Sequence, residues 1–225
     1  MITLYGCLRS RATRPWWLLT EAGAEFTHEP VIQAYRLADP ASAEAPFNTA
    51  SPGFLEINPL GQIPVLVDDA LVLTESLAMS LYLARKLGGP LGPGDLAEEG
   101  QMLQWAFLAG TGIETPALDI LFTVVRGEAG SDAGQARLAA SVDALARPCA
   151  RIEAHLAGKD QECGPDGLVG GRFTVADIAL SECLRYAQPH PPALAPFPLL
   201  RDWLARCQAR PAFQAMMQAR EAEPA

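Results

Sequence analysis

Apolar positions change period several times in the first third of the chain. Ile2 to Tyr5 is a short β-branched and aromatic run, the pattern of a strand, and Gly6 to Arg11 breaks it. From Thr13 to Gly23, Trp16, Trp17, Leu18, Leu19 and Ala22 supply the apolar positions of a helix, and Gly23 ends it. Pro15 fits a helix only in its first turn, where a missing N–H is no loss, so the helix starts near Ala12 and Thr13. Phe26 to Ile32 reads as a second strand. Residues 33 to 58, polar and rich in Ala, Pro and Ser, read as loop with one short helix. Ile63–Val67 and Leu71–Leu73 are apolar strands joined at Asp68-Asp69-Ala70, and Glu75 to Leu87 is an amphipathic helix. A β-α-β segment, a loop and a β-β-α segment predict a small α/β domain over residues 1–87.

Gly88-Gly89-Pro90-Leu91-Gly92-Pro93-Gly94 then interrupts all periodicity, which marks residues 88–95 as a linker. From 96 to 225 only helical spacing recurs, over Leu96–Arg126, Asp132–Gly158, Thr174–Tyr186, Phe197–Arg210 and Pro211–Glu221. Pro116 and Pro148 are expected to kink or break the first two. The predicted architecture is an α/β domain followed by an all-α domain.

Composition narrows the class. Apolar residues make up 49% of the 225 and charged residues 19%, ordinary values for a globular chain. The formal net charge of -9 opposes non-specific nucleic-acid binding, and the acids are dispersed, as on solvated helix faces. The five cysteines, Cys7, Cys149, Cys163, Cys183 and Cys207, are odd in number and lack Cys-x-x-Cys spacing, and the three histidines are scattered. Neither a disulfide framework nor a metal site is expected. The start shows no signal-peptide pattern, and no apolar run is read as approaching the ~18 residues of a membrane span. A cytoplasmic setting without membrane or nucleic-acid partners is the expectation.

The stretch Asn58 to Asp69 followed by Leu73 to Ala78 carries the most specific chemistry. Pro64 opens a strand, where a lost donor is tolerated. A cis Ile63-Pro64 bond would turn the backbone of Ile63 outward, ready to pair with another extended peptide. Thr74-Glu75-Ser76 opens the next helix, where free N–H groups, a hydroxyl and the helix dipole suit a carboxylate. This stretch resembles the glutathione-binding signature of the glutathione S-transferase superfamily. The resemblance implies a thioredoxin-like N-terminal domain and an all-helical C-terminal domain. In it, Ile63 would pair with the cysteinyl backbone of glutathione and Pro64 would be the cis residue. Glu75 would face the γ-glutamyl ammonium, Ser76 would hold its carboxylate, and Gln62 would lie near the glycyl end.

Cys7-Leu8-Arg9-Ser10-Arg11-Ala12-Thr13-Arg14 lies between the first strand and the first helix. Ser10 and Arg14, spaced Ser-x-x-x-Arg, are similar to the serine-type, theta- and delta-like members, whose catalytic hydroxyl starts that helix. The chain departs from that pattern in Arg11-Ala12-Thr13, and the tyrosine used by other classes is absent. Ser10 also has the makings of an ordinary helix cap. Cys7 begins a Cys-x-x-Ser similar to redox motifs, although a strand-end cysteine is usually buried and inert. Arg172 to Ile178 contains the capping box Thr174/Asp177 and the staple Phe173/Ile178, which the family carries for folding.

The implied activity is transfer of glutathione to a small hydrophobic electrophile by a bacterial-type, detoxifying homodimer. The electrophile would lie against Trp105, Leu108, Thr111 and Thr115, a helix face that core packing explains equally well. Glutathione-dependent disulfide or peroxide reduction, and a non-catalytic interaction module of the same fold, are the alternatives.

Overall fold

In the computed structural model, residues 1–159 and 167–223 are described, and Cys163 lies outside them. The chain divides into two units, Met1–Leu87 with Pro211–Ala225, and Gly88–Arg210.

The first unit is built on strands β1 (Ile2–Tyr5), β2 (Thr27–Glu29), β3 (Val65–Asp68) and β4 (Leu71–Leu73), with helices α1 (Thr13–Glu21), α2 (Pro52–Ile57) and α3 (Ser76–Leu87). The sheet order is β2-β1-β3-β4. β1 runs parallel to β2, with Thr3 opposite Thr27, and antiparallel to β3, with Leu4 opposite Leu66. This mixed sheet with its helices is the thioredoxin-like fold. Alternation along the strands sends Leu4 and Leu66 into a core with Trp17, Leu18, Leu19, Met79 and Leu83. Tyr5, Val65 and Val67 instead pack with Val31, Phe54, Ile57 and Ile63.

Three sequence boundaries shift. The second strand shortens to Thr27–Glu29, and Ile32 makes only an isolated bridge to Asn48. β3 begins at Val65, after the Ile63–Pro64 bond. Asp68 belongs to the strand, paired with Ile2 and Leu71, and Oδ2 of its buried carboxylate accepts from α3, from the Tyr82 hydroxyl at 2.6 Å and from Lys86. The hairpin turn is therefore Asp69-Ala70, with Asp69 at φ 53°.

The second unit holds α4 (Leu96–Leu108), α5 (Glu114–Val125), α6 (Asp132–Ala154), α7 (Val175–Leu184) and α8 (Pro198–Gln208). All ten residues of α7 are buried, so the unit wraps around this helix. The expected break at Pro116 lies upstream, in a π turn over Ala109–Ile113. Pro116 then sits in the first turn of α5, where its missing N–H is harmless, and the wider turn takes up its ring. α6 runs unbroken through Pro148 and passes into a second π turn at His155. Because α4, the π turn and α5 are continuous, Leu96–Val125 does reach the length and composition of a span, with a window of mean hydropathy 1.3, one third of it buried. Trp105, whose spacing suits a substrate wall and core packing equally, is buried inside this unit against His155, ring centroids 4.8 Å apart.

Arg172 fixes the linker to the second unit. Its guanidinium donates to Glu98 at 2.6 and 2.7 Å, to the Gly92 carbonyl at 2.9 Å and to the Pro90 carbonyl at 3.0 Å. Arg172, with the Gly94 N–H, holds the Glu98 carboxyl down at about 2.

The last helix, α9 (Pro211–Ala222), corrects the expectation that everything after residue 96 forms one helical domain. It belongs with the sheet unit, because Phe213 packs edge-on to Trp17 of α1 at 4.9 Å.

Candidate active site

In the loop from Gly6 to Ala12, the Gly6, Cys7, Leu8, Arg9 and Ala12 N–H groups each have their own acceptor. Gly6 and Cys7 N–H extend the strand pairing to the Glu29 and Val31 carbonyls, each at 3.0 Å. Leu8 and Arg9 N–H donate to the two carboxylate oxygens of Glu223, at 2.6 and 3.0 Å. Ala12 N–H donates to Ser10 Oγ at 3.1 Å. The Ser10 hydroxyl in turn donates to the Cys7 carbonyl at 2.6 Å. Ser10 thus sits half-buried at the mouth of α1, its oxygen polarised by a backbone donor.

Gly6 is where this loop meets the Ile63–Pro64 loop. Its φ is +137°, and a Cβ there would stand 3.2 Å from Ile63 Cβ and 3.3 Å from Ala12 Cβ. A side chain would push the two loops apart, so glycine is required for both conformation and approach. Ile63–Pro64 is cis. Pro64 is buried, Ile63 half-buried and Gln62 exposed, and the Gln62 carbonyl accepts from Asn58 Nδ2 at 2.8 Å. Among the described residues, no hydrogen bond engages the Ile63 N–H or C=O.

Glu75 precedes α3 in the left-handed region, at φ 67°, with its side chain exposed. A β-carbon disfavours that conformation by about 1–2 kcal/mol, and such outliers gather at ligand sites. Ser76, the first residue of α3, is buried, and its Oγ accepts from Arg14 Nη1 at 3.0 Å. Arg14 itself is 1% exposed, so this bond joins the start of α1 to the start of α3 inside the core. The first backbone bond of α3 runs from Met79 N–H to the Glu75 carbonyl. Among the described residues nothing accepts from the Ser76, Leu77 or Ala78 N–H.

Cys7 is buried, with Sγ 3.2 Å from Gln33 Oε1 and 3.9 Å from Arg36 Nη1. Burial pushes its thiol up, the Glu223 carboxylate adds to this, and Arg36 only partly opposes it. A thiol so disposed is a poor nucleophile.

The sequence motifs therefore meet in one unit. Ser10 and Ile63 adjoin through Gly6 and Ala12, and Ser76 is tied to them through Arg14. Sequence reasoning missed the Arg14–Ser76 bond, the Gln33/Arg36 pair beside Cys7, and Glu223. Only Arg14 had a local signal, its helical spacing from Ser10.

Residues 9–86 match the family "Glutathione S-transferase, N-terminal domain", and residues 113–211 match "Glutathione S-transferase, C-terminal domain". Glutathione S-transferase 3 of Zea mays is 33% identical over 221 residues, covering 95% of this chain and 91% of that protein. The chain belongs to the glutathione S-transferase family.

Two solved structures resemble this transferase over 95% or more of its length. The theta class glutathione S-transferase of Xanthomonas axonopodis pv. citri, crystallised with glutathione bound, shares 32% identity over 95% of each chain, with a TM-score of 0.73. Glutathione S-transferase III in its apo form shares 30% identity over 100% of this chain and 99% of that one, with a TM-score of 0.76. This transferase therefore has relatives in plants as well as in a theta class, and its membership is established at the level of the family.

Proposed function

We propose that the protein is a serine-type, theta- and delta-like glutathione transferase, in which the Ser10 hydroxyl stabilises the glutathione thiolate for attack on a small hydrophobic electrophile. The observation that carries this reading is the Ser10 oxygen at the mouth of α1, receiving the Ala12 N–H and adjoining the Ile63–Pro64 loop through Gly6. The free Ile63 N–H and C=O suit an extended cysteinyl backbone, added like one more strand. The uncapped start of α3, with the Ser76 hydroxyl held by Arg14, suits the γ-glutamyl carboxylate. Glu75, exposed beside it, suits the ammonium, and exposed Gln62 the glycyl end. The family supports a homodimer, which sedimentation would test.

The energetics are sufficient without a general base. Lowering a thiol pKa from about 8.5 to about 7 needs roughly 2 kcal/mol of preference for the anion. A charge-assisted hydroxyl bond contributes about 1.5–3 kcal/mol, and the α1 N-terminus about 0.3–1 kcal/mol. The hydroxyl must leave the Cys7 carbonyl to make that bond. A neutral acceptor is exchanged for a charged one, so the exchange favours the thiolate. Cys7, buried and with its thiol raised, does not favour thiol-transferase chemistry.

Ser10→Ala is the test. The pKa of bound glutathione should rise by about one to two units. Turnover at neutral pH should fall about tenfold to a hundredfold and recover at alkaline pH, with affinity nearly unchanged. A mutant that keeps the wild-type thiolate absorbance at neutral pH would reduce Ser10 to a helix cap.

A further inference from the structure

The loop that presents Ser10 is completed by a residue more than two hundred positions away. α9 runs along α1 in the opposite sense. Phe213, near its start, packs on Trp17, and Glu223, just beyond its end, reaches the loop before α1. There the Glu223 carboxylate takes the Leu8 and Arg9 N–H groups, one oxygen each, and the Glu223 carbonyl accepts from Arg9 Nη2 at 3.2 Å. Neither the sheet nor Ser10 satisfies these two N–H groups, whereas Gly6 and Cys7 bond to Glu29 and Val31, and Ala12 to Ser10. Leu8 is buried, so water cannot readily replace the carboxylate at its N–H.

We infer that Glu223 is a positioning residue for Ser10: by pinning the Leu8 and Arg9 backbone it holds the hydroxyl where the glutathione thiolate is to be met. Each loop bond depends on the next. The Ser10 hydroxyl is oriented by the Cys7 carbonyl on one side and the Ala12 N–H on the other, and the Leu8-Arg9 segment joins Cys7 to Ser10. Without the carboxylate, the two N–H groups must turn towards other acceptors, and that rotation moves Ser10 with them. The role is not one of charge. A carboxylate beside the loop opposes any nearby anion, so an effect of its charge alone would have the opposite sign, and its removal would lower the thiol pKa.

The inference rests on Ser10 being the active hydroxyl, and the test separates the two. The variants are Glu223→Ala, the shape-preserving Glu223→Gln, Ser10→Ala and the double variant Ser10→Ala/Glu223→Ala. Each is measured for the pKa of bound glutathione by thiolate absorbance, for kcat and KM, and for thermal unfolding. Glu223→Ala should raise the thiol pKa by about half a unit to one unit and lower kcat at neutral pH about threefold to tenfold, with the KM for glutathione within about twofold. Glu223→Gln, which keeps one acceptor, should show part of the same loss, and it decides the matter if the alanine variant does not fold. In the Ser10→Ala background, Glu223→Ala should add nothing, because there is no hydroxyl left to place. A lowered thiol pKa in Glu223→Gln, unchanged kinetics in both single variants, or a full effect in the Ser10→Ala background would each overturn the inference. If Ser10→Ala alone leaves the thiol pKa unchanged, the active-hydroxyl reading fails and this inference with it.

Discussion

In the helical unit the protein closes its own helix starts, and in the sheet unit the start of α3 is left open. Asp95 accepts the Glu98 N–H at α4, Ser131 the Gly134 N–H at α6, and Glu153 the Leu199 and Leu200 N–H groups at α8. At α7 the closure is reciprocal. Thr174 Oγ1 accepts from Ala176 N–H, and Asp177 returns a bond to the Thr174 N–H at 2.9 Å. α3 is preceded by Glu75 where α7 has Thr174, and Ala78 stands third in the helix where α7 has Asp177. Its entry residue is twisted into the left-handed region, and Ser76 points its hydroxyl oxygen at Arg14. The same unsatisfied N–H groups arise at every helix start. Where a carboxylate or hydroxyl of the chain fills them they serve folding, and where none does they remain available to a ligand.

The two starts should respond to mutation in opposite ways. The largest effect is expected at the closed one. Asp177 is wholly buried, and its carboxylate also accepts the Leu168 N–H at 3.1 Å and Trp203 Nε1–H at 2.9 Å. Burial raises its carboxyl to about 6 against the pull of these donors. Asp177→Ala leaves several buried donors without an acceptor, which should cost about 3–5 kcal/mol of stability. Chemical denaturation would measure it, and calorimetry on the remaining folded protein should find glutathione affinity unchanged. An affinity loss comparable to the stability loss would erase the distinction between the two helix starts.

Ser76→Ala should do the reverse at the open start. Glutathione affinity should weaken by about 1–3 kcal/mol, the cost of leaving a charged group short of a donor. Some stability is lost as well, because buried Arg14 gives up an acceptor, but less than for Asp177→Ala. Titration calorimetry with glutathione and a melting curve on the same sample decide between the roles. An intact fold with undiminished affinity would remove Ser76 from the site.

What could be read from the sequence follows the range of the interactions. Thr174 with Asp177, Pro15 in the first turn of α1, and Pro64 at the foot of β3 all act within a few residues, and each stands where its local chemistry requires. Asp68, an expected turn residue that lies in the strand, escaped because its carboxylate accepts from Tyr82 and Lys86 on the following helix. The π turn at Ala109–Ile113 escaped because Pro116 fixes that a helix must adjust nearby and not where. Glu223 lies 215 residues from Leu8, and an acidic residue after an amphipathic helix reads as a solvated end. The pairing exists only once Phe213 has seated α9 on Trp17. The candidate site was thus legible in the residues proposed to meet the ligand, and illegible in those that hold them.

The smallest expected effect tests whether the open start carries backbone strain. Glu75 holds φ 67° with an exposed side chain. Glycine adopts that conformation without a β-carbon clash, a relief of about 1–2 kcal/mol. It also gives the unfolded chain more freedom, which takes back about 0.5–1 kcal/mol. Glu75→Gly should therefore stabilise the protein alone by up to about 1 kcal/mol, while glutathione affinity falls by about 1 kcal/mol because the carboxylate proposed to face the ammonium is gone. Glu75→Gln keeps the β-carbon and removes only the charge, so it should lose the same affinity with no gain in stability. Denaturant midpoints for the three proteins, with and without glutathione, separate the two contributions. A glycine variant less stable than the glutamine variant would mean that the left-handed turn at Glu75 costs the fold nothing, and the difference between the two helix starts would then lie in their side chains alone.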